Sequence, residues 1–245
     1  MRRQTSLDWL TDRPFAHRGL HHAGKGIPEN SLSAFRGAIK QKVGIELDVR
    51  LSADGEAMVF HDPVLERLCA ETGTVESLPA RHLSTIKLLG QHGDKIETLP
   101  SVLSVVRGQV PVLVEMKDVG QSNIQLCMAV RRALEGYGGP IAIMSFNPEI
   151  PAWFAKTAPR VVRGLVTTDN GVRYGALGGL LAGHSRNLRK AKAQFIAHDL
   201  SCLPSKFIAA ERKRGVPTLS WTVRSKADTD KARANVDNVI FELQP

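Results

Sequence analysis

The chain has 245 residues, 42% of them hydrophobic, with 33 Lys and Arg against 24 Asp and Glu, for a formal net charge of +9. This length and hydrophobic content suffice for one large core, so the sequence predicts a single domain over residues 1–245. The positive charge favours anionic partners such as phosphates. Because aromatic residues make up only 5% and the basic residues are scattered, we expect no nucleic-acid partner.

The sequence also bears on the compartment. Its N-terminus lacks the apolar run of a secretory signal, and no stretch approaches the ~20 apolar residues needed to span a bilayer. The three cysteines, Cys69, Cys127 and Cys202, are far apart and odd in number, which suits a reducing compartment better than a disulfide framework. These features predict a cytoplasmic protein.

Short apolar and β-branched runs alternate with helical patterns along the chain. We expect strands at 15–18, 45–51, 57–61, 111–117, 141–146, 162–166, 195–198, 217–223 and 239–241. The helical patterns cover 32–40 behind an N-cap at Ser31, 97–106, 124–136, 148–158 and 226–236.

This alternation, over a length close to the ~250 residues typical of the fold, predicts an α/β protein of the TIM-type (β/α)8 barrel class. A small insertion is expected after the third strand, over about 62–99. A doubly wound open sheet is the alternative. It is disfavoured because the glycine-rich stretch GALGGLLAG, residues 175–183, lacks the strand-to-helix layout of a dinucleotide site.

Polar side chains follow several predicted strands at the end where a barrel carries its chemistry. They form the pairs His17-Arg18, Glu46-Asp48, His61-Asp62 and Glu115-Lys117. Because side chains alternate along a strand, Glu46 and Asp48 share a face, as do Glu115 and Lys117. A turn at residues 54–55 leaves two arrangements open, an antiparallel hairpin or a parallel strand, and both gather these residues.

Three carboxylates in one cavity repel one another unless a cation joins them. Glu46, Asp48 and Glu115 offer only oxygen ligands, which suits Mg²⁺ or Ca²⁺. Arg18 and Lys117 would then reverse the remaining negative charge and hold a phosphodiester. The pattern therefore predicts a divalent-metal site that receives a phosphate group.

Two histidines complete this set of groups. His17 and His61 could act as general base and general acid, since the pKa of imidazole lies near neutral pH. Two further histidines, His21 and His22, lie in a segment that looks flexible, and we expect both to be exposed to solvent.

Several quoted motifs occur in one order along nearly the whole chain: HRG at 17–19, PEN at 28–30, GIELDVRLSADG at 44–55, VFHD at 59–62, VEMK at 114–117 and SWTV at 220–223. In this order they resemble the glycerophosphodiester phosphodiesterase family, within the phosphatidylinositol phospholipase C-like barrels. The resemblance implies hydrolysis of glycerophosphodiesters to glycerol 3-phosphate and an alcohol.

The resemblance also implies roles for individual residues. Family members use a glycerol hydroxyl as the first nucleophile and pass through a cyclic phosphate that water opens, and their insertion helps to choose the substrate. Carried over by motif, the roles are metal ligation by Glu46, Asp48 and Glu115, acid/base catalysis by His17 and His61, phosphate binding by Arg18 and Lys117, and a substrate-pocket contact by Trp221.

The sequence departs from the family pattern near its end. Arg224 replaces the Asn that often follows Trp-Thr-Val, and Glu242 lies near the position of an acidic residue in the family's last turn. These changes affect the distal part of the substrate pocket and remove none of the proposed catalytic groups.

Other functions remain open on the sequence alone. A lysophospholipase D-like activity on membrane lysolipids, with peripheral membrane contact, is suggested by the apolar and then basic segment LGGLLAGHSRNLRKAK, residues 177–192. A non-catalytic phosphate-binding barrel is a weaker alternative, because all the proposed metal and histidine positions are filled.

Overall fold

The structure is a computed structural model that describes residues 7–170 and 179–243. Within these ranges, strands and helices alternate for most of the chain. The strands are β1 (Phe15–Ala16), β2 (Gly44–Leu51), β3 (Ala57–Val59), β4 (Glu97–Thr98), β5 (Val112–Met116), β6 (Ile141–Ser145), β7 (Val162–Thr167), β8 (Phe195–Asp199), β9 (Thr218–Val223) and β10 (Asn238–Phe241). The helices are α1 (Leu32–Lys40), α2 (Ala80–Leu83), α3 (Leu99–Val106), α4 (Asn123–Leu134), α5 (Glu149–Thr157), α6 (Gly179–Ala191), α7 (Lys206–Lys213) and α8 (Lys226–Asn235).

The chain divides into two compact units. The first unit comprises Met1–Pro14 and Ala142–Phe241, and the second unit comprises Phe15–Ile141 and Glu242–Pro245. All of the predicted catalytic, metal and phosphate residues belong to the second unit, whereas Trp221 belongs to the first. The single domain over residues 1–245 stays a prediction.

In the second unit, β2 is the central strand. It pairs in parallel with β1 and with β5, and in antiparallel fashion with β3. The register with β5 sets Asp48 directly opposite Glu115. In the first unit, β6 to β10 form parallel neighbours in chain order.

The eight parallel strands, β1, β2 and β5 to β10, are joined by helices in the order of a TIM-type barrel, so the predicted α/β (β/α)8 fold class is confirmed. The third predicted strand, 57–61, is β3, and both of its pairings among the described residues are antiparallel. The antiparallel arrangement of the turn at Asp54-Gly55 is therefore the correct one. The insertion that follows β3 lies between the second and third parallel strands.

The insertion carries its own small core. Its buried side chains Leu65, Cys69, Val75, Leu83 and Ile86 pack in one cluster with residues of β3. The strand β4 pairs with β3, so both ends of the insertion are held by the same hairpin. This packing explains how a segment with little regular structure is held against β3.

The predicted helices follow local signals. Ser31 caps α1 by accepting a hydrogen bond from the Ala34 backbone N–H at 3.1 Å, and α3, α4, α5 and α8 occupy the other predicted segments. The polar helix α7 was not predicted. Most of the glycine-rich stretch 175–183, together with the start of the segment 177–192, lies outside the described residues and side chains. Among the described helices, none is long and apolar enough to cross a membrane.

Candidate active site

The centre of the site is three buried carboxylates. Glu46 and Asp48 alternate along β2 with the buried Leu47 between them, and β5 brings Glu115 beside Asp48. One oxygen from each carboxylate lies within 4.8 Å of the others. The predicted metal ligands are therefore assembled in one place.

Lys117 supplies positive charge to this acidic centre. Its Nζ forms an ion pair with Asp48, 2.8 Å from Oδ1. The same Nζ donates a short hydrogen bond to Glu115. Burial opposes the charged form of Lys117, but Asp48 and Glu115 raise its pKa to about 12. The predicted phosphate-binding lysine thus pairs with the acidic centre in this structure.

The charges of the acidic centre are not fully balanced. Burial, together with the Asp48 carboxylate, raises the pKa of Glu46 to about 8. In Asp48 burial acts in the same direction, yet Lys117 and Arg18 outweigh it and hold the pKa well below its usual value. Among these acids, Glu46 is therefore the one whose charged form the neighbouring cations compensate least.

The unpaired oxygen of Glu46 shows that a cation fits here. Glu46 is fully buried, and among the described residues its Oε1 has no hydrogen-bond partner. An orphaned buried carboxylate oxygen is costly, and a hard divalent ion relieves that cost by ligation. The donor set, three carboxylates, is the type that Mg²⁺ and Ca²⁺ bind.

Arg18 is held beside these acids by its own backbone conformation. It adopts a positive φ of 54°, and its backbone N–H donates to Glu46 Oε2 at 3.0 Å. Its side-chain Nε lies 3.2 Å from Asp48 Oδ2, and its Nη1 donates to Glu29 Oε1 at 2.7 Å. A positive φ in a non-glycine residue is strained, and such strain is common at functional sites.

Asn30 braces Asp48 from the same loop. Its amide donates to Asp48 Oδ2 at 2.9 Å, and its side-chain oxygen accepts from the Asp48 backbone N–H at 3.2 Å. Asn30 also has a φ of 54°. These two hydrogen bonds orient a predicted metal ligand.

His17 lies between two acids. Its Nδ1 is 2.5 Å from Glu242 Oε1, and its Nε2 is 3.9 Å from Glu46 Oε2. Burial alone would lower its pKa, but the hydrogen bond to Glu242 and the charge of Glu46 outweigh burial and raise the pKa. The structure therefore favours the protonated form of His17.

His61 lies in a different environment at the start of the insertion. Its Nδ1 is 2.5 Å from Asp62 Oδ1, its backbone carbonyl accepts from Arg50 Nε at 2.7 Å, and its side chain is 31% exposed. Burial, Lys117 and Arg18 together lower its pKa despite the nearby Asp48. The structure therefore favours the neutral form of His61.

A second layer of charges ties the insertion to the first loop. Arg67 donates to both oxygens of Glu29, at 2.7 and 2.9 Å, and to Asp62 at 2.5 Å. Arg18 shares the carboxylate of Glu29, and Asp62 in turn holds His61. Arg67 thereby connects Arg18, the predicted phosphate-binding arginine, to the partly buried His61.

The structure corrects the expectation for His21. Its side chain is only 20% exposed, and its Nε2 lies 4.0 Å from Glu242 Oε1, so the prediction of a solvent-exposed side chain was wrong. Burial lowers its pKa. His22 is partly buried as well, so the same expectation was wrong for it, and its backbone pairs with that of Ile27.

Trp221 lies on β9 in the first unit. It is partly buried, its Nε1 donates to the Ala197 carbonyl at 3.2 Å, and it packs edge-on against Phe146 with ring centroids 5.6 Å apart. Its place in the substrate pocket stays a prediction. Arg224, the residue that departs from the family pattern, donates its backbone N–H to Asp228 at the start of α8.

Sequence reasoning missed three connections in the site. It did not pair His17 with Glu242, His61 with Asp62, or Arg67 with both Asp62 and Glu29. The sequence signal for these pairings was weak, because each acid lies just after a strand or in a loop, where many surface acids also occur.

Comparison with known proteins identifies relatives over almost the whole chain. Residues 17–242 match the family model described as Glycerophosphoryl diester phosphodiesterase family. A protein of Caldanaerobacter subterraneus subsp. tengcongensis named glycerophosphodiester phosphodiesterase is 28% identical over 239 residues, covering 93% of this chain and 92% of that one.

Solved structures share the fold. A phosphodiesterase of Oleispira antarctica, in complex with the product sn-glycerol-3-phosphate, has a TM-score of 0.81 at 20% identity and covers 95% of this chain and 93% of that chain. A glycerophosphodiester phosphodiesterase from Agrobacterium tumefaciens has a TM-score of 0.68 at 25% identity, with 94% and 96% coverage.

Proposed function

The chain belongs to the Glycerophosphoryl diester phosphodiesterase family and is a phosphodiesterase; from this premise we propose that it hydrolyses glycerophosphodiesters to glycerol 3-phosphate and an alcohol with the help of a divalent cation. One observation supports this proposal above the others: three buried carboxylates, one with an orphaned oxygen, lie beside two cationic side chains and an imidazole. The bound product of the Oleispira protein supports the same substrate class.

Glu46, Asp48 and Glu115 would hold the cation. When bound, a divalent ion of this type stabilises the charge that gathers on phosphate oxygens during the reaction. Asn30 keeps Asp48 oriented toward the acidic centre through its two hydrogen bonds. The oxygen-only ligands support Mg²⁺ or Ca²⁺ and favour neither.

Arg18 and Lys117 bind the phosphate. Both are mostly buried, and both pair with acids of the site in this structure. An arginine presents a planar fork to two phosphate oxygens, and a lysine presents a point charge. Their charges offset the acidic centre, so that an anionic diester can approach it.

The two histidines divide the proton transfers. His61, whose pKa is lowered, acts as the base that removes a proton from the glycerol hydroxyl next to the phosphate ester. His17, whose pKa is raised, acts as the acid that gives a proton to the departing alcohol. Groups whose environments push their pKa values apart suit opposite roles.

The substrate supplies the first nucleophile. Its hydroxyl oxygen forms a bond to phosphorus while the bond from phosphorus to the alcohol oxygen breaks, which gives a cyclic phosphate. Water then opens the ring and leaves glycerol 3-phosphate. The described cysteines of the second unit offer no competing nucleophile, because burial raises the pKa of Cys69 to about 11 and of Cys127 to about 12.

A panel assay tests the proposal. The full chain is incubated with glycerophosphodiesters of several head groups and with lysolipids, with and without chelator, and glycerol 3-phosphate release is measured. We expect release that requires a divalent ion, and a loss of about 10²- to 10⁴-fold in His61→Ala. His82→Ala, an exposed histidine of the same insertion, is the matched control and should keep its activity.

Two outcomes would count against the proposal. Full activity in excess chelator would contradict the requirement for a divalent ion. Equal losses of activity in His61→Ala and His82→Ala would contradict the acid/base role of His61. Release of the head group from lysolipids alone would favour the lysophospholipase D-like alternative. The cytoplasmic location and peripheral membrane contact stay predictions.

A further inference from the structure

A second cluster of ligating side chains lies in the first unit. Asp169, His198 and Cys202 each offer one ligand atom, and these atoms lie within 4.8 Å of one another. Asp169 follows β7, His198 lies near the end of β8, and Cys202 ends the short 3₁₀ turn after β8. The parallel register of β7 and β8 places Thr167 beside His198, which brings the carboxyl ends of both strands together.

His198 carries an unpaired polar atom in this cluster. The residue is fully buried, and its Nδ1 bonds to Thr167 Oγ1 at 2.8 Å. Its Nε2 is also buried, and it has no hydrogen bond of normal geometry among the described residues. A buried ring nitrogen whose hydrogen bonding is incomplete is costly, and an ion or a water commonly completes it.

The Cys202 sulfur accepts one backbone hydrogen bond and lies near two hydroxyls, both of which donate to Asp199. The Asp169 backbone N–H donates to Sγ at 3.3 Å, and the hydroxyls of Thr168 and Ser201 lie 3.6 and 3.7 Å from it. The thiolate form of a cysteine is the one that binds metals. Cys202 is only partly buried, whereas Cys69 and Cys127 are buried.

Asp169 is oriented by a second histidine. One of its oxygens lies 2.6 Å from Nε2 of the buried His184 on α6. A carboxylate has two oxygens, so this bond leaves the other one available as a ligand. Outer hydrogen bonds of this kind commonly hold metal ligands in place.

We propose that Asp169, His198 and Cys202 bind one transition-metal ion of the zinc type, separate from the oxygen-only site of the second unit. A thiolate, an imidazole nitrogen and a carboxylate oxygen are the ligands that Zn²⁺ prefers, whereas Mg²⁺ and Ca²⁺ require oxygen. The thiolate and the carboxylate together balance the charge of a divalent ion. The ion would join the loop after β7 to the turn after β8.

The experiment uses the full chain freed of metal by chelator and dialysed against excess Mg²⁺, which occupies oxygen-only sites. Zn²⁺ or Co²⁺ is then added and bound metal is counted per chain, with the thiolate-to-cobalt absorption band as a ligand-specific signal. The variants are Cys202→Ser and His198→Ala, with Cys127→Ser as the matched control and circular dichroism as the test of folding. Thermal unfolding is followed with and without Zn²⁺.

We expect one ion per chain, a thiolate-to-cobalt band, and a rise in unfolding temperature with Zn²⁺ concentration. Cys202→Ser should remove the band and weaken binding at least tenfold, while Cys127→Ser keeps both. If His198→Ala fails to fold, Cys202→Ser still decides the question. Absence of a bound ion, or a band that survives in Cys202→Ser, would overturn the proposal. An ion that binds without the band and is lost in Glu46→Gln would also overturn it, because that ion would lie at the oxygen-only acidic centre.

Discussion

Glu242 lies 2.5 Å from Nδ1 of His17 although 225 residues separate them in the sequence. The pairing closes the two ends of the second unit around the histidine, and it raises the pKa of His17 against the effect of burial. Glu242 is therefore a positioning residue for the proposed general acid.

We expect Glu242→Gln to lower kcat by about 10- to 100-fold, as outer hydrogen bonds to functional histidines commonly do. The amide keeps the shape but loses the charge, so the pKa of His17 should fall. The alkaline limb of the pH–rate profile should then move to lower pH. A loss of activity with an unchanged pH profile would argue for a purely structural role.

Lys117 balances the acidic centre in the absence of a divalent ion. We expect Lys117→Met to lower the free energy of unfolding in chelator by about 3 kcal/mol, because Asp48 and Glu115 lose their buried partner. Added divalent ion should stabilise this variant more than the unaltered chain, since the ion replaces the missing charge. Chemical denaturation with and without metal measures both effects.

The same variant should lose about 10²- to 10³-fold in kcat, because a charge aimed at the phosphate is gone. Lys40→Met, an exposed lysine at the end of α1, is the control and should change neither quantity. Equal metal stabilisation in Lys117→Met and the unaltered chain would contradict the proposed exchange of charges.

Asn30 combines two hydrogen bonds to Asp48 with a left-handed backbone, and two variants separate these features. Asn30→Gly keeps the backbone conformation and loses the hydrogen bonds, so the divalent-ion concentration for half-maximal activity should rise about 10- to 100-fold. Asn30→Ala should lose the same affinity and a further ~1 kcal/mol of stability, because alanine is strained at a φ of 54°. Equal stabilities of the two variants would show that the backbone strain is released elsewhere.

Arg67 makes the stability of the insertion depend on pH. Burial alone would raise the pKa of Asp62, but the hydrogen bonds from Arg67 and His61 outweigh burial and lower this pKa from its usual 3.8 to about 2. A lowered pKa contributes stability above the unfolded value of 3.8, and this contribution disappears as the pH falls toward 2.

We therefore expect Arg67→Gln to be less stable than the unaltered chain at pH 5 to 7, with the difference shrinking between pH 4 and pH 2. Because Arg67 is 46% exposed, the difference at neutral pH should be only about 1 kcal/mol. Lys87→Gln, an exposed lysine of the same insertion, is the control with no expected pH trend. Urea denaturation across this pH range gives the result; a difference independent of pH would exclude the linkage to Asp62.

The strand-end pattern was informative because it depends on local chemistry alone. Glu46 and Asp48 share a face of β2 since side chains alternate along any strand. The sequence left open whether the turn at Asp54-Gly55 joins antiparallel or parallel strands, and the structure shows the antiparallel pairing. The alternation of strands and helices indicated the barrel class for the same reason: apolar periodicity records which face of each element is buried.

Partners distant in the chain were decided only by the tertiary structure. The register of β2 against β5 sets Asp48 opposite Glu115, and the fold of the second unit brings Glu242 to His17. The buried surroundings of His21 and the cluster of Asp169, His198 and Cys202 likewise arise from packing. Sequence patterns report the environment of a residue among its neighbours, whereas the pairing of charges depends on contacts between segments that only the folded chain brings together.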